Sequence, residues 1–204
     1  MPPKESIIYP LFSKPLSLST FNTDNNKILN FLKKQKYKKS DSANTSQITI
    51  SNKLLENKFF KKEKIEFKKS IKKYLKNILR YSKDFKIHNS WGTKAEKNQE
   101  SVPHAHSNSW ISAVYYPKEN NNFSISFSDP HHSFYKLDYD NLNNIFTAKE
   151  FTVFPKTNTL LIFPSETFHK INKNKSNETR YSLSFNIVPV GIFQKGGDAE
   201  IKYT

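Results

Sequence analysis

Hydrophobic positions in the first half of the chain recur with the period of an α-helix. Over residues 63–81 apolar side chains are three and four residues apart and lysines occupy the opposite face, which predicts an amphipathic helix. A shorter helix is predicted over 25–39, with Thr23 or Asp24 as its N-cap. Residues 39–53 are rich in Ser, Asn and Thr and are predicted to form a loop.

The second half changes to short stretches that are typical of β-strands. Six of them are rich in β-branched and aromatic residues: 85–91, 109–116, 122–129, 150–155, 158–165 and 180–189. Strands this short and this close together predict a β-sandwich or barrel. Residues 7–21, which contain two prolines, are predicted as an edge strand and a turn.

No internal repeat and no hinge-like linker separates the halves, so we expect one domain over residues 1–204. The N-terminal strand and helices of residues 1–86 would pack on a β-core of residues 87–190, and residues 191–204 would form a C-terminal tail. The predicted fold class is therefore mainly β with flanking α-helices.

The net charge of +15 is concentrated in the first half of the chain. Residues 1–100 carry 23 Lys and Arg against 9 Asp and Glu, whereas residues 101–204 carry 10 against 9. Nearly all of the excess is lysine, and 22 asparagines accompany it, which favours the compositional bias of an AT-rich genome over a selected phosphate-binding surface. An acidic partner for the Lys-rich N-terminal half stays open as an alternative. Arginine occurs only at Arg80 and Arg180, so these two positions stand out.

Two absences restrict the chemistry and the location. The chain has no cysteine, which excludes disulfides, thiolate-bound zinc, iron–sulfur clusters and cysteine nucleophiles. No apolar run approaches the roughly 20 residues of a transmembrane helix, and the N-terminus lacks a signal-peptide pattern. We therefore expect a soluble, cytoplasmic protein without membrane contact, in which any metal is held by His, Asp or Glu.

Three of the six histidines are spaced in a way that suits a metal ion. His104 and His106 are two residues apart, so on a strand both imidazoles point to the same face and can reach one ion. His169 follows a buried apolar stretch and a turn. A His-x-His pair alone is a weak signal, because such pairs also occur harmlessly on loops.

A strand with alternating polar and apolar residues begins at Arg180. Arg180, Ser182, Ser184 and Asn186 share one face of it. An isolated arginine on a strand is usually a surface residue. With a serine two residues later, in a chain nearly devoid of arginine, it can instead clamp a carboxylate bidentately.

In chain order, the His-x-His pair, the later histidine and the Arg-x-Ser element resemble the 2-oxoglutarate/Fe(II)-dependent oxygenase superfamily, and most of all its bacterial and phage subgroup. The matching segments are SW at 90–91, PHAHSNSWISAVYYP at 103–117, FSDP at 127–130, FPKTNTLLIFPSETFH at 154–169 and RYSLSFN at 180–186. The resemblance covers roughly the whole chain. It implies a double-stranded β-helix, which is the jelly-roll fold that cupins share. It also implies that the protein acts in a bacterial cell or a phage-infected host.

The resemblance also implies that His104, His106 and His169 are the ligands of Fe(II). His106 stands where most members of the superfamily have Asp or Glu, which departs from the usual triad of two histidines and one carboxylate. Three neutral imidazoles would leave the iron site with more positive charge than two histidines and a carboxylate, which would favour binding of the anionic co-substrate.

The co-substrate site follows from the same resemblance. Arg180 and Ser182 match the element that binds the distal carboxylate of 2-oxoglutarate, and Tyr116 or Tyr115 would add a phenol hydrogen bond. The two tyrosines are equally well explained as core residues.

The implied activity is that of a dioxygenase that uses O2, converts 2-oxoglutarate to succinate and hydroxylates an unidentified substrate. That substrate can be a small molecule, a protein side chain or a nucleic acid, and no catalytic residue beyond the metal ligands is required. His131, His132 and Trp110 are weak candidates for the substrate entrance. The oligomeric state is not predicted.

Two other functions remain as alternatives. A cupin-type metal-binding or small-molecule-binding protein would share the fold and the histidines, but the residues after His106 read SNSWIS and lack the usual cupin glutamate, and Arg180 has no role there. A non-catalytic basic protein that binds nucleic acid would explain the lysines but not the order of His and Arg-x-Ser motifs.

Overall fold

The computed structural model describes residue 7 and residues 13–39, 45–119, 122–129, 148–193, 195–198 and 200–203. Its helices are α1 (Asn25–Lys33) and α2 (Lys61–Asn77), and two short 3₁₀ turns precede α2 at Leu54–Glu56 and Lys58–Phe60. Its strands are β1 (Ser17–Thr20), β2 (Tyr37–Lys39), β3 (Gln47–Thr49), β4 (Phe85–Ala95), β5 (Ile111–Tyr116), β6 (Ile125–Ser128), β7 (Glu150–Val153), β8 (Thr159–Pro164), β9 (Phe168–Ile171), β10 (Arg180–Pro189), β11 (Gly191–Phe193) and β12 (Ile201–Tyr203).

The strands form two main antiparallel sheets, as expected for a jelly roll. The major sheet has seven strands in the order β1-β8-β5-β10-β4-β3-β2, and the minor sheet has three in the order β7-β6-β9. Strands β11 and β12 form a separate hairpin. The long strand β10 lies between β5 and β4 at the centre of the major sheet.

The two faces of the major sheet carry different side chains, because successive residues of a strand point to opposite sides. On the helix face, residues such as Tyr115, Leu183 and Phe185 pack against α1 and α2 in one hydrophobic core. On the inner face, residues such as Tyr116 and Phe163 pack against the minor sheet in a second core. The mainly β fold class with flanking helices is thus confirmed.

A glycine permits the close packing of the N-terminal elements on the helix face. A Cβ at Gly92 of β4 would lie 3.0 Å from Thr49 Cγ2, 3.0 Å from the Tyr37 hydroxyl and 3.1 Å from Leu32 Cδ2. A larger residue here would push β2, β3 and α1 away from the sheet.

The N-terminal half differs from the sequence prediction in two places. Asp24 caps α1 by accepting a hydrogen bond from the Lys27 amide, as predicted, but the helix ends at Lys33 and the chain continues into β2. Residues 39–53, predicted as a loop, contain β3, which pairs with β2 and β4. Pairing with β4 stabilises a segment whose own strand signal is weak, since tertiary contacts often override local propensity.

The helices of the described part of the chain are too short or too polar to cross a membrane.

Candidate active site

A cavity of about 400 Å³ opens between the inner face of the major sheet and the minor sheet. Its wall combines three histidines, one arginine and a series of small polar and apolar side chains: Ser46, Ile48, Trp91, Thr93, Ser101, Val102, His104, His106, Ser112, Ala113, Val114, Tyr116, Ile125, His169, Ile171, Arg180, Ser182, Ser184 and Asn186. Among the described residues, none with a carboxylate lines this cavity. A concave site of this size with a few convergent polar groups is typical of small-molecule binding.

His104, His106 and His169 come together at this cavity. One imidazole nitrogen of each lies within 4.8 Å of the others. An isolated antiparallel bridge aligns two of them: the amide of His104 donates to the carbonyl of His169 at 3.0 Å, and the amide of His169 donates to the carbonyl of His104 at 2.9 Å. His106 is held by its own amide, which donates to the carbonyl of Ser165 at 2.8 Å.

The hydrogen bonds of two rings fix their tautomer. The Nδ1 atom of His104 lies 2.8 Å from the carbonyl oxygen of Val102, and that of His169 lies 2.8 Å from the carbonyl oxygen of Thr167. A carbonyl oxygen only accepts, so Nδ1 carries the proton and donates, which leaves the Nε2 lone pair free. A donor bond at one ring nitrogen is the usual support for a metal-binding histidine at the other.

Burial keeps the inner two imidazoles neutral. His169 is buried, and loss of water lowers its pKa to about 3, with the nearby His104 and His106 acting in the same direction. Burial also lowers the pKa of His106, against the opposing effect of its hydrogen bond to Asn186. Neutral imidazole is the form that binds a metal ion.

The lowered pKa of His169 predicts that the metal-free protein loses stability in mild acid. Between pH 6.5 and about 3 the unfolded chain carries a proton on this imidazole and the folded chain does not. The free energy of unfolding should therefore fall as the pH drops below 6.5, by up to about 1.4 kcal/mol per pH unit for this group. Urea unfolding of wild type, His169→Asn and His88→Asn across this range measures the slope.

His169→Asn should flatten that slope, whereas His88→Asn, at an exposed position of β4, should leave it unchanged. Equal slopes for wild type and His169→Asn would contradict the prediction.

Arg180 opens β10 at the cavity wall, with 2% of its surface exposed. Its Nη2 donates to the Tyr116 hydroxyl at 2.8 Å, and its guanidinium lies over the Tyr116 ring, with Cζ 5.0 Å from the ring centroid. Its Nε and Nη1 atoms, and the hydroxyl of the buried Ser182, have no hydrogen-bond partner within the described ranges. A buried charge with unused donors is costly unless a ligand of opposite charge binds there.

Four of the candidate site residues do not line this cavity or lie outside the described residues. Tyr115 points to the helix face, where its hydroxyl bonds Asn158 and Thr23 and its ring packs on Phe67, so its assignment to the co-substrate site is corrected. Trp110, a candidate for the substrate entrance, packs on the helix-face core and contacts Tyr81, which corrects that assignment too. His131 and His132 lie outside the described residues.

Two groups that the sequence left without a role belong to the cavity wall. Trp91 lines the cavity, and its ring centroid is 5.8 Å from that of His106. Asn186 accepts a hydrogen bond from His106, and Ser112 contacts both. The alternation of polar and apolar residues in β10 predicts that Asn186 lies on the same face as Arg180, and this pattern is the sequence feature that could have indicated its place in the cavity wall.

Residues 89–186, the part of the chain that carries the histidines and Arg180, match the model of the family described as "Putative 2OG-Fe(II) oxygenase". The match covers 98 of the 204 residues, and this part of the chain is therefore similar to the 2OG-Fe(II) oxygenases, oxidoreductases that use iron, 2-oxoglutarate and O2. No curated protein sequence matches the chain. The bacterial and phage subgroup stays a prediction.

Several solved structures share the fold at low sequence identity. HygX from Streptomyces hygroscopicus, solved with nickel, 2-oxoglutarate and hygromycin B, has 9% identity and a TM-score of 0.61 over 86% of this chain and 83% of its own. The α-ketoglutarate-dependent epimerase SnoN of nogalamycin biosynthesis has 12% identity and a TM-score of 0.63 over 91% and 81%. A prolyl-4-hydroxylase from Pseudomonas putida has 14% identity and a TM-score of 0.59 over 89% and 96%. These likenesses confirm the double-stranded β-helix fold.

Proposed function

We propose that this enzyme is an Fe(II)- and 2-oxoglutarate-dependent hydroxylase whose iron is held by His104, His106 and His169. The donor set fits a first-row divalent metal, since three imidazole nitrogens converge and two of the rings have their Nδ1 atoms occupied by donor bonds. Bound Fe(II) and 2-oxoglutarate supply O2 activation and the oxidative decarboxylation that yields succinate.

The observation that carries this proposal is the buried guanidinium of Arg180, whose Nε and Nη1 atoms have no partner among the described residues, in the same cavity as the three imidazoles. The Nε and Nη1 atoms can each donate a hydrogen bond to an anionic ligand, and the Ser182 hydroxyl offers a third donor. A small molecule with a carboxylate at one end and metal-chelating oxygens at the other would satisfy both groups. 2-Oxoglutarate has a carboxylate at one end and chelating oxygens at the other. A cupin that only binds a metal would have no use for a buried arginine beside the histidines.

The other groups of the site orient and enclose the reactants. Tyr116 braces the guanidinium, and burial raises the pKa of its phenol, so the group stays protonated and neutral. Apolar side chains of both sheets, including Val114, Ile125 and Ile171, line the cavity and limit water near the histidines. No protein side chain is required to accept a proton, because the bound groups carry the oxidation.

Anaerobic titration with Fe(II) and 2-oxoglutarate tests the proposed function. We expect a weak visible charge-transfer band that appears only when both are present and saturates at one of each per chain. Metal binding without the band would favour a cupin-type metal protein. Absence of metal binding would contradict the iron site.

The substrate and its location belong to the same proposal. We propose one oxygenase domain over residues 1–204 that acts in the cytoplasm on a small molecule, a protein side chain or a nucleic acid. Helix α2 carries eight lysines and two glutamates, and its one described ion pair joins Lys69 to Glu66, which leaves positive charge for an acidic partner. Salt-dependent binding to a polyanion that survives lysine-to-glutamine changes in α2 would contradict that contact.

A further inference from the structure

The three imidazoles of the candidate iron site are not supported in the same way. His104 and His169 each donate from Nδ1 to the backbone carbonyl two residues earlier in the chain, Val102 and Thr167. Within the described part of the chain, His106 is the one of the three with side-chain hydrogen-bond partners: its Nδ1 atom lies 2.9 Å from the Asn186 side-chain oxygen and 3.1 Å from the Ser112 hydroxyl. Replacing one of these side chains would therefore change the hydrogen bonding of the His106 ring without changing His106 itself.

Asn186 is part of a buried chain of hydrogen bonds. The Ser112 hydroxyl donates to the Asn186 oxygen at 3.0 Å and lies 2.8 Å from the Ser165 hydroxyl. The carbonyl of Ser165 also accepts the backbone amide of His106. Asn186, Ser112 and Ser165 are 4%, 2% and 0% exposed, so water has little access to replace these contacts.

This network selects one tautomer of His106. If Nδ1 carries the proton, it donates to the Asn186 oxygen, the Ser112 hydroxyl donates to the same oxygen, and each group is satisfied. If Nε2 carries the proton, the Ser112 hydroxyl can donate to Nδ1 and no longer to Asn186, and the Nδ1 lone pair then faces the Asn186 oxygen at 2.9 Å, so that two buried acceptors oppose each other. Only the first arrangement leaves the Nε2 lone pair free for a metal ion.

We propose that Asn186 is a positioning residue that fixes the ring and the tautomer of His106 and so makes this histidine a competent third iron ligand. The proposal rests on the proposed function for the identity of the metal. It explains how a neutral ligand is supported at a position where most of the superfamily has a carboxylate: the side-chain oxygen of a neutral amide accepts a hydrogen bond from Nδ1 of the histidine.

The tautomer can be measured in the metal-free protein. Long-range ¹H–¹⁵N correlation spectra of histidine-labelled protein, recorded above the ordinary histidine pKa of about 6.5, distinguish a protonated Nδ1 from a protonated Nε2. We expect His106 in wild type to be protonated at Nδ1. In Asn186→Leu, His106 should shift to protonated Nε2 or to a mixture, while His104 and His169 should keep their wild-type spectra.

Fe(II) binding gives the second readout. Asn186→Leu should weaken Fe(II) binding by about 10- to 100-fold, the usual effect of losing a group that supports a ligand. Asn186→Asp keeps an acceptor at the same place, so it should restore both the tautomer and Fe(II) binding to at least the wild-type level. If Asn186 only filled space, leucine, which is close to asparagine in size, would keep both the His106 tautomer and Fe(II) binding.

Asn89→Leu is the matched control. Asn89 lies directly opposite Asn186 on β4, and its side-chain oxygen is buried without a hydrogen-bond partner in the described structure. This change should leave the His106 spectrum and Fe(II) affinity unaltered.

The proposal is overturned if Asn186→Leu folds and keeps both the wild-type His106 tautomer and the wild-type Fe(II) affinity. Should Asn186→Leu fail to fold, Ser112→Ala removes the neighbouring donor without changing Asn186, and a smaller shift in the same direction is expected. An unchanged His106 in Ser112→Ala together with a failed rescue by Asn186→Asp would also overturn it. If wild type binds no Fe(II), the proposed function fails, while the spectra of the metal-free protein still decide the role of Asn186.

Discussion

Replacing His169 with alanine is expected to lower the affinity for Fe(II) by at least about 100-fold and to abolish activity. His169 is the most buried of the three imidazoles, and its backbone pairs with that of His104, so it anchors the metal site to the minor sheet. Loss of a direct ligand should exceed the 10- to 100-fold effect that is usual for a group supporting a ligand. Fe(II) titration, and the rise in melting temperature that bound Fe(II) produces in wild type, both measure the loss.

The substitution should leave a folded protein. The imidazole packs against Phe163, with ring centroids 4.9 Å apart, so its removal leaves a small cavity that we expect to cost about 1–3 kcal/mol. His88→Ala, an exposed change on β4, is the control and should keep wild-type Fe(II) affinity. A His169→Ala protein that binds Fe(II) within a few-fold of wild type would remove this residue from the ligand set.

Strand β10 shows how far the sequence alone could lead to the site. Its strict alternation predicts that Arg180, Ser182, Ser184 and Asn186 share a face, and the structure places all four on the cavity wall. The pattern was readable because one face of the strand is apolar and packs under the helices while the other is polar. The strand pattern does not show that Asn186 accepts hydrogen bonds from His106 and Ser112, which becomes visible only in the structure.

Strand β5 shows where such reasoning stops. All six of its residues, Ile111–Tyr116, are buried, so both faces of the strand are covered. The sequence therefore does not show which residues point to the helix face and which point to the inner face. A shift of one residue exchanges the two faces, which is why Tyr115 and Tyr116 could not be told apart.

The three histidines of the candidate metal site are brought together by backbone contacts that the sequence did not predict. Alternation along a strand was expected to align His104 and His106, but in the structure His104 forms only an isolated bridge and His106 is outside any strand. Their approach depends on backbone pairing with His169 and Ser165, residues about 60 positions away in the chain. Contacts at this separation are set by the closure of the two sheets, which local patterns do not encode.

Replacing Arg180 with leucine is expected to abolish 2-oxoglutarate binding while Fe(II) binding stays near wild type. Removal of one partner from a buried, hydrogen-bonded charge pair costs about 3–5 kcal/mol, or roughly 100- to 4,000-fold in affinity. Arg180→Lys keeps the charge but loses the planar set of guanidinium donors, so it should give an intermediate loss. The charge-transfer band, titrated with 2-oxoglutarate at saturating Fe(II), measures each variant.

A structural role for Arg180 predicts a different stability result. In the cofactor-free protein two of its nitrogen atoms have no partner among the residues that the structure describes, so the buried guanidinium is a burden on the fold. Arg180→Leu should therefore leave the free energy of unfolding unchanged or raise it, even as 2-oxoglutarate binding is lost. Arg80→Leu, at the exposed arginine after α2, should keep full binding. A residue that binds 2-oxoglutarate should, when replaced, lower the affinity for 2-oxoglutarate without lowering the free energy of unfolding. If Arg180→Leu instead is strongly destabilised and keeps wild-type affinity for 2-oxoglutarate, the arginine stabilises the fold and does not bind the co-substrate.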